Sequence, residues 1–126
     1  MKHGRSTTTP TIAEQKRMDA ITDIGCIVAH SLGLGYVPCE VHHLTVGGKH
    51  GQKRRGHDFT IGLNPWSHRG EPFGNWNAVQ CEAMFGPSYA RQPRRFRQEI
   101  GQDDYLLDLQ NTLLEQHKEK TIWRAA

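Results

Sequence analysis

The stretch Val41 to Gly70, VHHLTVGGKHGQKRRGHDFTIGLNPWSHRG, decides how this chain is read. Two adjacent histidines, His42 and His43, close a strand-like run from Tyr36 to Leu44, so the pleat sends their side chains to opposite faces. One imidazole can then hold a metal while its neighbour reaches a water. A glycine-rich loop carrying Lys49, Lys53, Arg54 and Arg55 follows, then His57, a short apolar run and Asn64-Pro65-Trp66-Ser67-His68. Proline has no backbone donor to waste in a first helical turn, so Pro65 opens a helix that bears His68. The order strand, loop, strand, helix brings His68 back towards His42.

Those residue types suit phosphodiester hydrolysis. The reaction needs a nucleophile made from water and positive charge where the phosphorane and the leaving oxygen become negative. Two imidazoles, His42 and His68, leave open positions on a metal for phosphate and water, which a closed four-ligand cage does not. Histidine titrates at about 6.5, so an unmetallated His43 can accept a proton from water as general base. The cofactor expected is one divalent ion, Mg²⁺ first, with Mn²⁺, Ni²⁺ or Zn²⁺ also acceptable to imidazole ligands. With a histidine on the first strand and another on the helix, the order resembles the HNH, or ββα-metal, nuclease motif. His57 falls at roughly the middle residue of that signature. It is read with His43 as catalytic, clamping the loop by hydrogen bonds or giving a third metal contact, with Asp58 beside it able to orient an imidazole. His50 is expected to be exposed.

Outward from this stretch, the chain reads as its mount. At 126 residues and 36% hydrophobic it supports one modest domain, 11–126, behind a mobile polar tail, 1–10. The fold class expected is α+β, a short two-stranded hairpin and helix packed by flanking α-helices. A run of some 18 apolar residues and a signal-peptide pattern are both missing, so a soluble cytoplasmic protein with no membrane partner is expected. Cys26, Cys39 and Cys81 are odd in number and form no paired framework, which favours a reducing compartment and buried thiols. The formal charge of +3 is mild. Its distribution is not, because Lys49, Lys53, Arg54 and Arg55 crowd one loop with no acid between Val41 and His57; beside metal ligands, that cluster points to DNA phosphates.

Thr11 and Glu14 make a capping box for a helix from Ile12 to Ile24, stopped by Gly25, with Met18, Ile21 and Ile24 facing the core. Gly25 to Gly35 reads as tight turns leading into the first strand. Asn77 with Gln80 caps a short helix to Phe85, with Trp76, Val79, Met84 and Phe85 packing the core. Pro93 opens PRRFRQEI, whose Phe96 and Ile100 face inward and whose Arg94, Arg95 and Arg97 make a second basic patch. Asp103 or Asp104 starts a last helix with a leucine stripe through LLDLQNTLL, and the tail from Lys118 carries Ile122 and Trp123.

A narrower likeness covers about Met18 to Glu115. DIGCIV, GYVPCEVHHL, GHDFTIGL, PW.HRG, MFGPSYA and FRQEIGQDDYLL together resemble the phage-borne RecA-dependent nucleases, or recombination enhancement function proteins. The resemblance implies an HNH-type fold, cutting of DNA together with RecA filaments, and a family histidine set falling on His42, His43, His57 and His68. One departure concerns a structural zinc. The family pattern implies Cys-x-x-Cys plus Cys-x-x-His, whereas this chain keeps Cys26 and has Ala29, Asn64 and Ser67 at the other three positions. Concerted replacement suggests a core that folds without that zinc, with Asn64 capping the helix instead. The alternative function is a catalytically weak or inactive DNA-binding accessory to recombination with the same fold; a histidine-rich metal binder without nucleic acid is the remote third. No sequence specificity is expected, since phosphate contacts carry none directly.

Overall fold

The computed structural model describes residues 8–48 and 53–125, the side chains of 123–125 excepted. It is α+β: a two-stranded antiparallel hairpin with several helices. Helix α1 (Ile12–Ile24) starts on the expected capping box, Thr11 accepting from Glu14 N and the Glu14 carboxylate accepting from Thr11 N at 2.8 Å. It ends at Gly25, whose φ of 88° lies where glycine is at ease and whose missing Cβ would meet the Val37 carbonyl at 2.6 Å.

Strands β1 (Glu40–His43) and β2 (Thr60–Leu63) pair in the register Glu40↔Leu63, Val41↔Gly62, His42↔Ile61 and His43↔Thr60. The first strand is shorter than the run Tyr36 to Leu44 suggests. Pro38 has no N–H to add to a ladder, and the Val37 carbonyl accepts from Cys26 N rather than from a strand. Opposed residues share a face, so Glu40, His42, Ile61 and Leu63 look one way and His43 and Thr60 the other. Beyond the strands the hairpin goes on through an isolated bridge, Thr45↔Arg54, which sets the basic residues on its returning arm.

Helix α3 (Pro65–Arg69) follows β2 directly and lies close to β1, while α1 and α6 (Asp103–Ala125) pack against β2. Two side chains tie the hairpin to these helices. Gln110 of α6 accepts from Gly62 N at 2.8 Å, and Arg17 of α1 donates to the Thr60 hydroxyl and carbonyl at 3.0 and 2.8 Å. A two-stranded ribbon is marginal by itself, and these bonds occupy backbone groups it would otherwise leave open. Glycine at 62 is required by space: a Cβ there would meet Cys39 Sγ at 2.8 Å and Ile21 Cγ2 at 2.9 Å.

Three expectations need correcting. Gly25 to Gly35 is not only turns, because Ile27–Ser31 form a short helix, α2, with Ile27, Val28 and Ala29 fully buried. Its N-cap, Cys26, makes no side-chain capping bond, and one apolar turn has no period to read. Val79, in α4 (Ala78–Phe85), is 79% exposed rather than packed, and Trp76 is exposed too, touching Phe73 and Phe85 by ring edges only, although Phe85 is buried. The residues after Lys118 continue α6 to Ala125, and Ile122 is exposed. Helix α5 (Pro93–Glu99) buries Phe96 as expected. Its Arg95 is engaged by Glu99 and Glu82 at 2.9 and 3.1 Å, so that part of the second basic patch serves the fold. Among the described residues no helix is long and apolar enough to cross a membrane.

Candidate active site

His42 and His68 come together. Their ring centroids are 4.8 Å apart, and His42 is buried with its Nε2 shut off from solvent. An imidazole centroid sits roughly 3.2 Å from an ion bound at about 2.1 Å, so two rings sharing one ion at angles from about 90° to 110° lie roughly 4.5–5.2 Å apart. The separation of this pair falls in that range. No group of three or more His, Cys, Asp or Glu side chains is arranged to hold an ion among the described residues, which leaves the candidate set as these two imidazoles.

Glu40 fixes the orientation of His68. His68 Nδ1 donates to Glu40 Oε1 at 2.8 Å, so its lone pair is on Nε2, and Arg69 grips the same carboxylate through Nε at 2.8 Å and its terminal NH2 at 2.7 Å. The Arg69 guanidinium holds Glu40 below the usual carboxylate range, with the His68 bond helping. A carboxylate behind a metal-binding imidazole sets its tautomer and raises its basicity. The sequence reading missed Glu40. Its signal was there, two residues before His42 and so on the same face of the strand. Tyr89, with its ring 5.1 Å from His42 and its hydroxyl accepting from Arg97 at 3.1 Å, was missed too and has no comparable signature.

His43 lies with His57, apart from that pair. His43 Nε2 and His57 Nδ1 are 3.0 Å apart, and His57 Nε2 is 2.6 Å from the carbonyl oxygen of Thr8. A carbonyl only accepts, so His57 carries a proton on Nε2, and as a neutral ring it offers a lone pair at Nδ1. His43 must then donate from Nε2, which leaves the lone pair of neutral His43 on Nδ1. Partial burial, with the charge of Arg54 and the neighbouring His57 adding to it, pushes the His43 imidazole down to about 4. The ring is neutral, and a base, across the physiological range.

The basic loop is placed in part. Lys49 and His50 lie outside the described residues. Lys53 is exposed and Arg54 half-buried on the bridge to Thr45. Arg55 has a partner within the fold: it pairs with Asp104 at 3.2 Å and lies over the Phe59 ring, 4.5 Å from its centroid. It borders a cleft of about 430 Å³ shared with Thr45, Arg97 and Asp103.

The corner where the resemblance implies zinc ligands is packed. Cys26, Ala29, Asn64 and Ser67 are all fully buried. Asn64 caps α3 by accepting from Ser67 N at 2.7 Å, as expected, and donates from Nδ2 to Cys26 Sγ at 3.3 Å. Burial raises the Cys26 thiol, so the sulfur stays protonated and acts as an acceptor in a neutral core. Ser67 Oγ is buried with no hydrogen-bond partner.

No curated protein and no solved structure matches the chain. A family model does, described as recombination enhancement, RecA-dependent nuclease, and its match runs over residues 10–115, taking in both strands, all the site residues from Glu40 to Tyr89 and most of α6. On that match, with a hairpin and helix that gather the four histidines into two touching pairs, the chain belongs to the RecA-dependent nuclease family of recombination enhancement proteins.

Proposed function

We propose that this protein is a metal-dependent DNA endonuclease of the HNH, or ββα-metal, type that acts with RecA filaments in phage-associated recombination, in the bacterial cytoplasm. The observation that carries the reading is the separate pairing of adjacent histidines: His42 beside a carboxylate-buttressed His68, and His43 bonded through Nε2 to His57. His43 takes that proton from water as the water attacks phosphorus. His57, already accepting from His43 Nε2, steadies the imidazolium that results. A divalent ion held by His42 and His68, Mg²⁺ first, would supply positive charge for the phosphorane and the departing oxygen. Lys53 and Arg54, with Lys49 and Arg55, hold the DNA backbone by charge and not by sequence. RecA as partner rests on the family, and the zinc-free corner on Asn64 replacing a ligand by a cap.

Supercoiled plasmid, RecA-coated single strands and the protein incubated with Mg²⁺ test the reading, with EDTA and His43→Ala as controls. Cutting abolished by EDTA and reduced about 10²- to 10⁴-fold by His43→Ala is the expected result. DNA binding without metal-dependent cutting would sink it in favour of a non-catalytic recombination accessory.

A further inference from the structure

The His43–His57 pair does not end at His57. Its last acceptor is the backbone of Thr8, 49 positions earlier in the chain, contributed by the segment that leads into α1. That segment is held over the site from both sides. Thr11 caps α1 just beyond it. Arg17, one and a half turns along the same helix, bonds Thr60, whose hydroxyl donates to the His57 carbonyl at 2.9 Å. Helix α1 thus grips the His57 backbone while the residues ahead of it reach the His57 ring.

We propose that the N-terminal segment is a positioning element of the active site: the Thr8 carbonyl sets which nitrogen of His57 carries the proton and, through His57, which nitrogen of His43 is the base. The inference rests on the nuclease reading for its catalytic consequence, but not for the proton positions. With the carbonyl present and both rings neutral, the bonds run in one direction only, from His43 Nε2–H to His57 Nδ1 and from His57 Nε2–H to Thr8. Without it, His57 can carry its proton on Nδ1 and donate to His43 Nε2. The His43 proton then moves to Nδ1, and its lone pair faces its neighbour rather than a water. A neutral imidazole has one proton to place, and both arrangements keep the 3.0 Å contact. The carbonyl is what separates them. The ring contact would survive loss of the segment while the base is misdirected.

The test uses histidine-¹⁵N-labelled, metal-free protein near pH 7.5 and long-range ¹H–¹⁵N correlation spectra, which show which ring nitrogens are protonated. Three chains are compared: full length, one lacking residues 2–6, and one lacking residues 2–9 with the Thr11 cap kept. The first two should show His43 and His57 both protonated on Nε2. In the third, His43 should become mixed or reversed. His57→Glu placed in that third chain should restore Nε2 protonation of His43, because a carboxylate can only accept. This restoration also separates a tautomer effect from a folding defect, which no acceptor would repair. In nicking assays the third chain should lose kcat by about tenfold or more, with KM changed less than about twofold. Unchanged tautomers in the third chain overturn the proposal whatever its activity. A full-length protein with the stated tautomers that cuts no DNA overturns the nuclease reading instead.

Discussion

His42 and His43 are neighbours in sequence, identical in chemistry, and housed in opposite ways. His42 looks towards α3, where its ring meets His68, itself bonded to Glu40, with Arg69 closing on the same carboxylate. His43 looks towards the α1 side, where its contact is a second imidazole ending on a backbone carbonyl. One face gathers a carboxylate behind its imidazoles, which favours cations and the lone pairs that bind them. The other sets His43 against a second imidazole with the Arg54 guanidinium near by, and burial there drives the His43 imidazole to its neutral form. The difference shows that the role of a histidine is set less by its own position than by what stands behind its second nitrogen.

The comparison can be broken one face at a time. The largest effect expected is that of His43→Ala, described above, which should remove cutting without weakening metal binding; calorimetric titration of the variant with Mn²⁺ checks the second half. Glu40→Gln is the converse. It should weaken metal affinity by about 10- to 100-fold, read as a shift in the metal dependence of nicking, and leave the His43 tautomer as it was. Smaller still is Asn64→Ala. The substitution removes the cap of α3 and the bond to Cys26, at a cost of about 2 kcal/mol in urea unfolding, and it should loosen His68 before it touches His43. Ser67→Ala lies in the same turn and deletes a buried hydroxyl that has no partner. It should be neutral or stabilise by up to about 1 kcal/mol, and a loss above that size would mean the hydroxyl holds something in solution.

Much of this was legible in the chain because local rules wrote it. The capping boxes at Thr11 and Asn77, the cap at Asn64 with Pro65 after it, and the inward Phe96 all stand where short-range chemistry puts them. Helix α2 was not legible: five residues carry no period, and its first residue has no side-chain cap. Val79 was misjudged because composition marks a residue as apolar without saying which side of a one-and-a-half-turn patch meets the core. At the site, residue types and spacing pointed to His42, His43, His57 and His68 and to the meeting of His42 with His68, but not to the bond between His43 and His57. Glu40 could have been found from its place two residues before His42. Thr8 could not, since a backbone carbonyl has no signature in sequence.

What the amino-acid sequence settled alone was most of the inventory: the longer helices, that two histidines leave one strand on opposite faces, and that a capped helix carries a third. Periodicity, capping and the pleat act over a few residues, so a string of letters contains them. Tertiary packing decided the partners. Glu40 behind His68, Thr8 behind His57 and Asn64 on Cys26 join residues 28, 49 and 38 positions apart. Such distant contacts depend on how α1 and α3 settle against the hairpin. Proton placement on an imidazole follows from those partners, and so the chemistry of the site belongs to the fold.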